Sequence, residues 1–141
     1  ALAAQPDLTQ VGTSGQSALV IAADAGNAVA IDLLLAAGAP VDARADRAAM
    51  TALMLAAGRA NPQAVAALLA AGANPKLRTS SGFTPLMHAV LENRLENARL
   101  LLAAGADLDR DRETLLKLAT DKGYSEMVLL LAATAAVHPS E

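Results

Sequence analysis

The feature that most constrains the fold of this chain is an internal repeat with a period close to 33 residues. Three near copies of one segment are present: LLLAAGAPVD from Leu33, LLAAGANPK from Leu68 and LLLAAGADLD from Leu100. The Gly-Ala pairs inside these copies are separated by 34 and 33 residues. A repeat of this length is one supersecondary unit that buries its apolar side against its neighbours, so the chain is expected to stack such units in a row.

A second related segment lies upstream of each copy and predicts a short helix. Its four versions are SALVIAA from Ser17, TALMLAA from Thr51, TPLMHAV from Thr84 and TLLKLAT from Thr114. The hydroxyl residue that opens each version can accept a hydrogen bond from a free N–H group of the first helical turn. Pro85 stands at the first helical position, where proline removes no hydrogen bond. Four first helices are therefore predicted.

The Leu-rich copies predict a second helix in each unit. Ile31, Leu34 and Leu35 follow the i, i+3, i+4 spacing of one buried helical stripe, and the later units repeat it. A glycine follows each of these helices, where it can adopt the left-handed conformation that ends a helix. These C-terminal glycines are Gly38, Gly72 and Gly105.

Composition supports a helical chain and excludes several kinds of site. Hydrophobic residues make up 54% of the 141 residues, largely alanine and leucine, and aromatic residues only 1%, so helix is favoured over strand. The absence of cysteine excludes disulfides and thiolate metal sites. A net charge of −3 gives no overall attraction to nucleic acid or to an anionic membrane. No apolar run is long enough to predict a membrane span.

The repeating unit resembles the ankyrin repeat. It has a threonine start, a short apolar helix, a break, a Leu-rich helix and a closing Gly-Ala pair. The resemblance covers roughly residues 13 to 133 and is fullest at Thr84, Pro85, Leu86 and Ala89. It implies an all-α ankyrin-repeat solenoid, in which helix-turn-helix units are joined by hairpin-like loops, and we expect a small stand-alone protein of bacterial origin. The predicted single domain has an N-terminal cap at 1–12, repeats at about 13–45, 46–78, 79–110 and 111–133, and a C-terminal tail at 134–141.

The chain departs from the ankyrin pattern in its loops. The last hairpin, between Gly105 and Thr114, is shorter than the two before it and is expected to be truncated. The histidine that usually follows the start leucine is also replaced in all four units, so the hydrogen bond with which it braces the loop is expected to be absent. The replacing residues are Val20, Met54, Met87 and Lys117.

The inventory of chemical groups disfavours an enzyme. His88 and His138 lie far apart without metal-ligand spacing, and His88 is interpreted as an ordinary helical histidine. The acidic residues between Asp107 and Glu113 invite comparison with a calcium loop or a metal-dependent hydrolase, but Arg110 interrupts them and the central glycine of a calcium loop is missing. A solvated charged loop is the ordinary interpretation. No catalytic residue, metal ligand or cofactor is predicted.

The ankyrin resemblance implies that a partner meets the concave face, which hairpin tips and the C-terminal ends of the first helices form. Carrying those positions onto this sequence gives a predicted partner-binding set: Arg44, Arg47, Met50, Arg59, Arg78, Ser80, Phe83, Glu92, Arg110, Glu113 and Lys122. Arg44, Arg78 and Arg110 take similar positions in successive units and are expected to form an arginine ladder suited to reading carboxylates. The alternative is that these arginines are solvated and partly neutralised by neighbouring aspartates.

The predicted function is therefore binding of another protein, with an acidic surface, in order to regulate or scaffold it. Nucleic-acid binding through the arginine ladder is an alternative, disfavoured by the net charge and the scarcity of stacking aromatics. A metal-dependent hydrolase is a second and weaker alternative. We expect a monomer without membrane attachment, either cytoplasmic or periplasmic, and the first residue, Ala1, fits either a removed signal peptide or a trimmed chain.

Overall fold

A computed structural model of the chain describes residues 18–42, 50–106, 108 and 111–137. Within these ranges the chain forms eight helices and no strand, which confirms the predicted all-α class. The helices are α1 (Ala18–Asp24), α2 (Ala28–Ala36), α3 (Ala52–Ala57), α4 (Pro62–Ala70), α5 (Pro85–Leu91), α6 (Leu95–Ala103), α7 (Arg112–Lys122) and α8 (Ser125–Val137).

The helices are arranged in four antiparallel pairs that stack in two layers. The first helices α1, α3, α5 and α7 contact one another in chain order, and the second helices α2, α4, α6 and α8 do the same. Each first helix also packs on the second helix of its own unit. This is the predicted solenoid of helix-turn-helix units, in which each unit contacts only its neighbours.

Small residues on the first helices allow the units to approach closely. Ala56, Ala89 and Ala119 hold equivalent positions in the last three units, and all three are fully buried. Large aliphatic side chains fill the space between the layers, with Leu53 and Leu68 both completely inaccessible. The core therefore runs continuously along the stack, as the repeated apolar stripes predict.

Two of the predicted helix caps are confirmed. The Thr51 hydroxyl oxygen accepts a hydrogen bond from the Met54 N–H at 3.3 Å, and Thr84 accepts one from the Met87 N–H at 3.2 Å. Ser17, the equivalent residue of the first unit, lies outside the described residues. Gly72 has a φ of +95°, which confirms the left-handed ending of the second helices.

The cap predicted at Thr114 is wrong. Helix α7 begins at Arg112, preceded by Asp111, so Thr114 lies inside the first turn rather than in front of it. The glycine that precedes the start threonine in the third unit, Gly82, is replaced here by Arg112, a good helix former. The loop between Gly105 and Thr114 is also shorter than the loops before it. Helix α7 therefore starts earlier, relative to its threonine, than the first helices of the other units.

The expectation that every loop lacks its bracing hydrogen bond is also corrected. The thioether sulfur of Met54 accepts the backbone N–H of Thr51 at 3.3 Å, while the Thr51 hydroxyl accepts the N–H of Met54. Met54 thus takes over, with a weaker acceptor, the contact that histidine makes in the ankyrin pattern. Its side chain is held at the start of α3, fully buried.

The last helix is longer than the second helices before it. Helices α2, α4 and α6 have nine residues each, whereas α8 has 13 and reaches Val137. It therefore includes the first four residues of the segment predicted as the C-terminal tail. The predicted N-terminal cap, residues 1–12, lies outside the described residues.

Candidate protein-interaction surface

A depression of about 300 Å³ opens on the face formed by the C-terminal ends of the first helices. We call it the α3–α5 cavity, because α3, α5 and the residues that cap their C-terminal ends supply five of its nine lining residues. Its lining residues are Asp24, Met50, Met54, Leu55, Gly58, Arg59, His88, Glu92 and Arg94. These residues come from three successive units, so the cavity exists only because the units stack.

Apolar side chains form the floor of the α3–α5 cavity. Met54 is fully buried, and Met50 and Leu55 are half-buried. Leu55 belongs to a row with one residue in each unit, four positions after the opening hydroxyl residue: Ile21, Leu55, His88 and Leu118. Leu55 and His88 line the cavity, and Ile21 is 50% exposed. An apolar row interrupted by one histidine therefore runs along this face.

An ion pair forms one edge of the cavity. The Nε and Nη2 atoms of Arg59 lie 3.2 Å and 2.5 Å from the same carboxylate oxygen of Asp24. The Asp24 hydrogen bond and charge raise the pKa of Arg59, and Glu92 adds a smaller contribution in the same direction. Both side chains are about half exposed, so the pair orients the arginine more than it stabilises the fold.

Glu92 forms the opposite edge, at the end of α5. Its side chain leans over Gly58, where a Cβ atom would stand 3.6 Å from the Glu92 Cγ. Arg94 is held beside it, because its Nε donates a hydrogen bond of 3.1 Å to the Gly58 carbonyl oxygen. Among the described residues, no cation lies within ion-pair distance of the Glu92 carboxylate.

His88 lies between these edges and carries an unused polar atom. Its Nε2 is buried and has no hydrogen-bond partner within the described part of the chain. Burial lowers the pKa of His88, and the negative charge of Glu92 opposes this only in part, so the ring is neutral at pH 7. The ring centroid lies 5.8 Å from that of Phe83, whose side chain remains 38% exposed.

Arg78, the only member of the predicted arginine ladder that the structure describes, is engaged within the protein. Its guanidinium donates to the Gly82 carbonyl oxygen at 2.8 Å and to the Asp111 carboxylate at 2.9 Å. It therefore joins the loop before α5 to the start of α7. Arg44 and Arg110, together with Arg47, lie outside the described residues, and the ladder stays a prediction.

The structure brings only part of the predicted partner-binding set together. Met50, Arg59 and Glu92 line the α3–α5 cavity, and Phe83 reaches it through His88. Ser80 is exposed on the loop before α5. Glu113 and Lys122 are exposed near the two ends of α7 and do not line the cavity.

Six of the nine cavity residues are absent from the predicted partner-binding set: Asp24, Met54, Leu55, Gly58, His88 and Arg94. The aligned units do contain a signal for His88, since it is the polar member of an otherwise apolar row. The sequence offers no reason to place Met54 in a binding surface, because a buried helical methionine is ordinarily a core residue. Arg94 replaces the asparagine that precedes α2 and α4, and its reach across to Gly58 is visible only in three dimensions.

Acidic residues near the last loop do not form a metal site among the residues that the structure describes. No group of three or more possible ligands is present there. Asp111 accepts the Arg78 hydrogen bond and Glu113 points from an exposed helical turn, while Asp107 and Asp109 lie outside the described ranges. In the same described part, no helix has the length and hydropathy needed to cross a membrane.

Comparison with known proteins settles the family. The sequence model of a family described as ankyrin repeats in three copies matches residues 2–79 and 53–140, which together cover nearly the whole chain. The chain belongs to the ankyrin-repeat family. This confirms the resemblance and the ankyrin solenoid, and ankyrin repeats are in general protein-interaction modules.

Individual relatives match only over short stretches. The ankyrin segment is 54% identical over 55 residues to Inversin of Gallus gallus, which is 36% of this chain and 5% of that protein. It is 40% identical over 70 residues to the Drosophila melanogaster protein named "Ankyrin repeat and KH domain-containing protein mask", which is 45% of this chain and 2% of that protein. Inversin of Mus musculus is 50% identical over 58 residues. The matches thus span a small fraction of these longer proteins.

Proposed function

We propose that this ankyrin protein binds another protein across the α3–α5 cavity and the loop that carries Phe83, and thereby regulates or scaffolds that partner. The observation that carries the proposal is the convergence of Met50, Arg59 and Glu92, predicted separately from the sequence, on one cavity. The half-exposed Phe83 ring beside it has the character of an interface anchor, since aromatic side chains give large contact area.

The chemistry of the cavity supports a peptide-like or side-chain ligand. A methionine and leucine floor can adapt to an incoming apolar group, because methionine is flexible and polarizable. His88 lines the cavity and its buried Nε2 has no hydrogen-bond partner among the described residues, so binding that shifts the ring could supply one. The charged edges, Asp24 with Arg59 on one side and Glu92 on the other, would fix the orientation of what enters.

The expectation of an acidic partner rests on Arg44, Arg47 and Arg110, which lie outside the described residues. Arg59 and Arg78 are both paired with carboxylates of this chain, so neither adds to that expectation. Nucleic-acid binding and metal-dependent hydrolysis stay predictions to which no further observation has been added. We propose that the protein acts without catalysis and as a monomer.

Site-specific cross-linking tests the proposed surface. A photo-reactive benzoylphenylalanine would replace Glu92 at the cavity edge in one variant and Glu96 in a matched control, four residues away on α6. Both variants are irradiated in a lysate of the source organism, and cross-linked products are identified by mass spectrometry. We expect one protein to be captured from position 92 and not from position 96. Capture from position 96 alone would place the binding surface on the second helices and overturn the proposal.

A further inference from the structure

We propose that the α3–α5 cavity receives a basic side chain, an arginine or a lysine, from the partner protein. This deepens the proposed function and rests on it, because it names the chemistry of the group that the cavity reads. It also reverses the expectation of an acidic partner for this part of the surface.

The cationic groups that line the cavity already have partners within this chain. Arg59 directs both Nε and Nη2 at Asp24, and the two charges offset each other. Arg94 uses its Nε on the Gly58 carbonyl oxygen and also lines a second depression, between the turns that lead into α4 and α6. A carboxylate that approached Arg59 would therefore have to compete with Asp24.

The acidic groups of the cavity keep acceptor atoms that the described residues do not use. Glu92 has no cation within ion-pair distance among the described residues. Asp24 uses one of its two carboxylate oxygens on Arg59, which leaves the other as an acceptor. The neutral His88 ring adds the unpartnered Nε2, an acceptor when the ring proton is on Nδ1. Carboxylate acceptor capacity thus remains at both edges of the cavity, and His88, whose buried Nε2 has no partner among the described residues, lines its wall.

A long basic side chain fits the apolar floor of the cavity. Arginine and lysine carry an apolar stem below the charged head, and such stems bury well against apolar surface. The half-buried Met50 and Leu55 offer that surface between the two charged edges. The head would then meet the Glu92 carboxylate, with the Phe83 ring near His88 closing one side. A side chain that is apolar along its length and cationic at its end would therefore fit both the apolar floor and the charged edges of the cavity.

The test begins with selection of displayed random peptides, each 12 residues long, on the immobilised wild-type protein. We expect the enriched peptides to share an arginine or lysine at one position. The strongest binder is then compared with a copy in which citrulline or norleucine replaces that residue. Because a hydrogen bond to a charged group contributes about 1.5–3 kcal/mol, the replaced peptide should bind at least about tenfold more weakly.

The variant Glu92→Gln removes the charge at the cavity edge with little change in size, and Glu96→Gln makes the same change on α6 as a matched control. We expect about tenfold weaker binding of the basic peptide to Glu92→Gln and unchanged binding to Glu96→Gln. Equal affinity of wild type and Glu92→Gln would overturn the inference. So would enrichment of acidic peptides, or of peptides without a shared basic residue.

Methyl NMR of the four methionines separates failure of this inference from failure of the proposed function. Met50 and Met54 line the cavity, while Met127 is buried in α8 and serves as an internal control. If selected peptides shift the Met50 and Met54 signals but lack a basic residue, only the inference about basic side chains fails. If they leave these signals unmoved, or if no peptide is enriched, both the inference and the proposed surface fail.

Discussion

The side-chain amide of Asn97 in α6 donates a hydrogen bond of 2.6 Å to the backbone carbonyl oxygen of Arg59 in the preceding unit. The same amide nitrogen lies 2.9 Å from the Ala57 carbonyl oxygen. The Ala57 carbonyl ends α3 and the Arg59 carbonyl lies in the turn after it, so neither has a later N–H of α3 to bond. One buried side chain in the layer of second helices therefore holds the turn that presents Arg59 to the cavity.

We predict that replacing Asn97 destabilises the protein according to the chemistry of the new group. Asn97→Ala should lower the free energy of unfolding by about 1–3 kcal/mol, because buried carbonyl oxygens lose their donor. Asn97→Asp should lower it further, since a carboxylate would then face those oxygens. Urea denaturation measures the free energy of unfolding of both variants. Gln63→Ala, at an exposed position, is the control and should lie within about 0.5 kcal/mol of wild type. An Asn97→Asp variant as stable as Asn97→Ala would contradict this role.

The Arg78–Asp111 ion pair is predicted to stabilise the junction between the third and fourth units. Its side chains are 27% and 14% exposed, so solvent screens the pair less than a surface pair. A double-mutant cycle with alanine should give a coupling of about 1–2 kcal/mol. The same cycle at Lys117 and Asp121, which are 78% and 62% exposed, should give no more than about 0.5 kcal/mol. Equal couplings would show that Arg78 is not held as described.

Two glycine substitutions are predicted to have opposite effects. Gly72→Ala should lower the free energy of unfolding by about 1–2 kcal/mol, because its φ of +95° strains any residue with a Cβ atom. Gly58 has a φ of −85°, and an added Cβ would make only ordinary contacts with Glu92 and Leu55. Gly58→Ala should therefore raise the free energy of unfolding by about 0.4–1 kcal/mol, because alanine lowers the conformational entropy of the unfolded chain. Thermal and urea unfolding check both, and a loss of stability in Gly58→Ala would contradict the open geometry of the cavity edge.

His88 is predicted to make the protein less stable below neutral pH. Burial lowers its folded pKa below the ordinary value of 6.5, so near and below pH 6.5 the unfolded chain binds a proton that the folded chain resists. The free energy of unfolding should therefore fall as the pH drops from 6.5 toward the folded pKa, with no effect from this group at higher pH.

The variant His88→Leu isolates this effect, because leucine stands at the matching positions 55 and 118. Urea denaturation at pH 7.5 and pH 5.5 should show a larger loss for wild type than for His88→Leu, and His138 is present in both proteins. Equal losses in the two proteins would mean that another group causes the pH dependence.

Much of the fold could be predicted because the same pattern of helices and loops recurs four times in the sequence. The caps at Thr51 and Thr84 and the left-handed Gly72 follow from local rules that need no tertiary information. The start of α7 could not be predicted from Thr114, since the residues before it, Arg112 among them, also favour helix and the shortened loop decides the boundary.

The candidate site could be predicted less well than the fold. Position within the ankyrin unit was enough to find Met50, Arg59 and Glu92, because equivalent positions face the same way. Position could not show that Arg78 is already bonded to Asp111, which depends on how two loops meet. The role of His88 depends on its burial and on its unpartnered Nε2, and neither is visible in a sequence.

Hydrogen–deuterium exchange of the protein with and without its captured partner tests the proposed interaction surface most directly. We predict added protection in residues 50–59 and 83–92, which carry the α3–α5 cavity and its loop, and none in α4 or α6. Protection confined to the second helices, with residues 50–59 and 83–92 unchanged, would contradict the proposal that this cavity binds the partner.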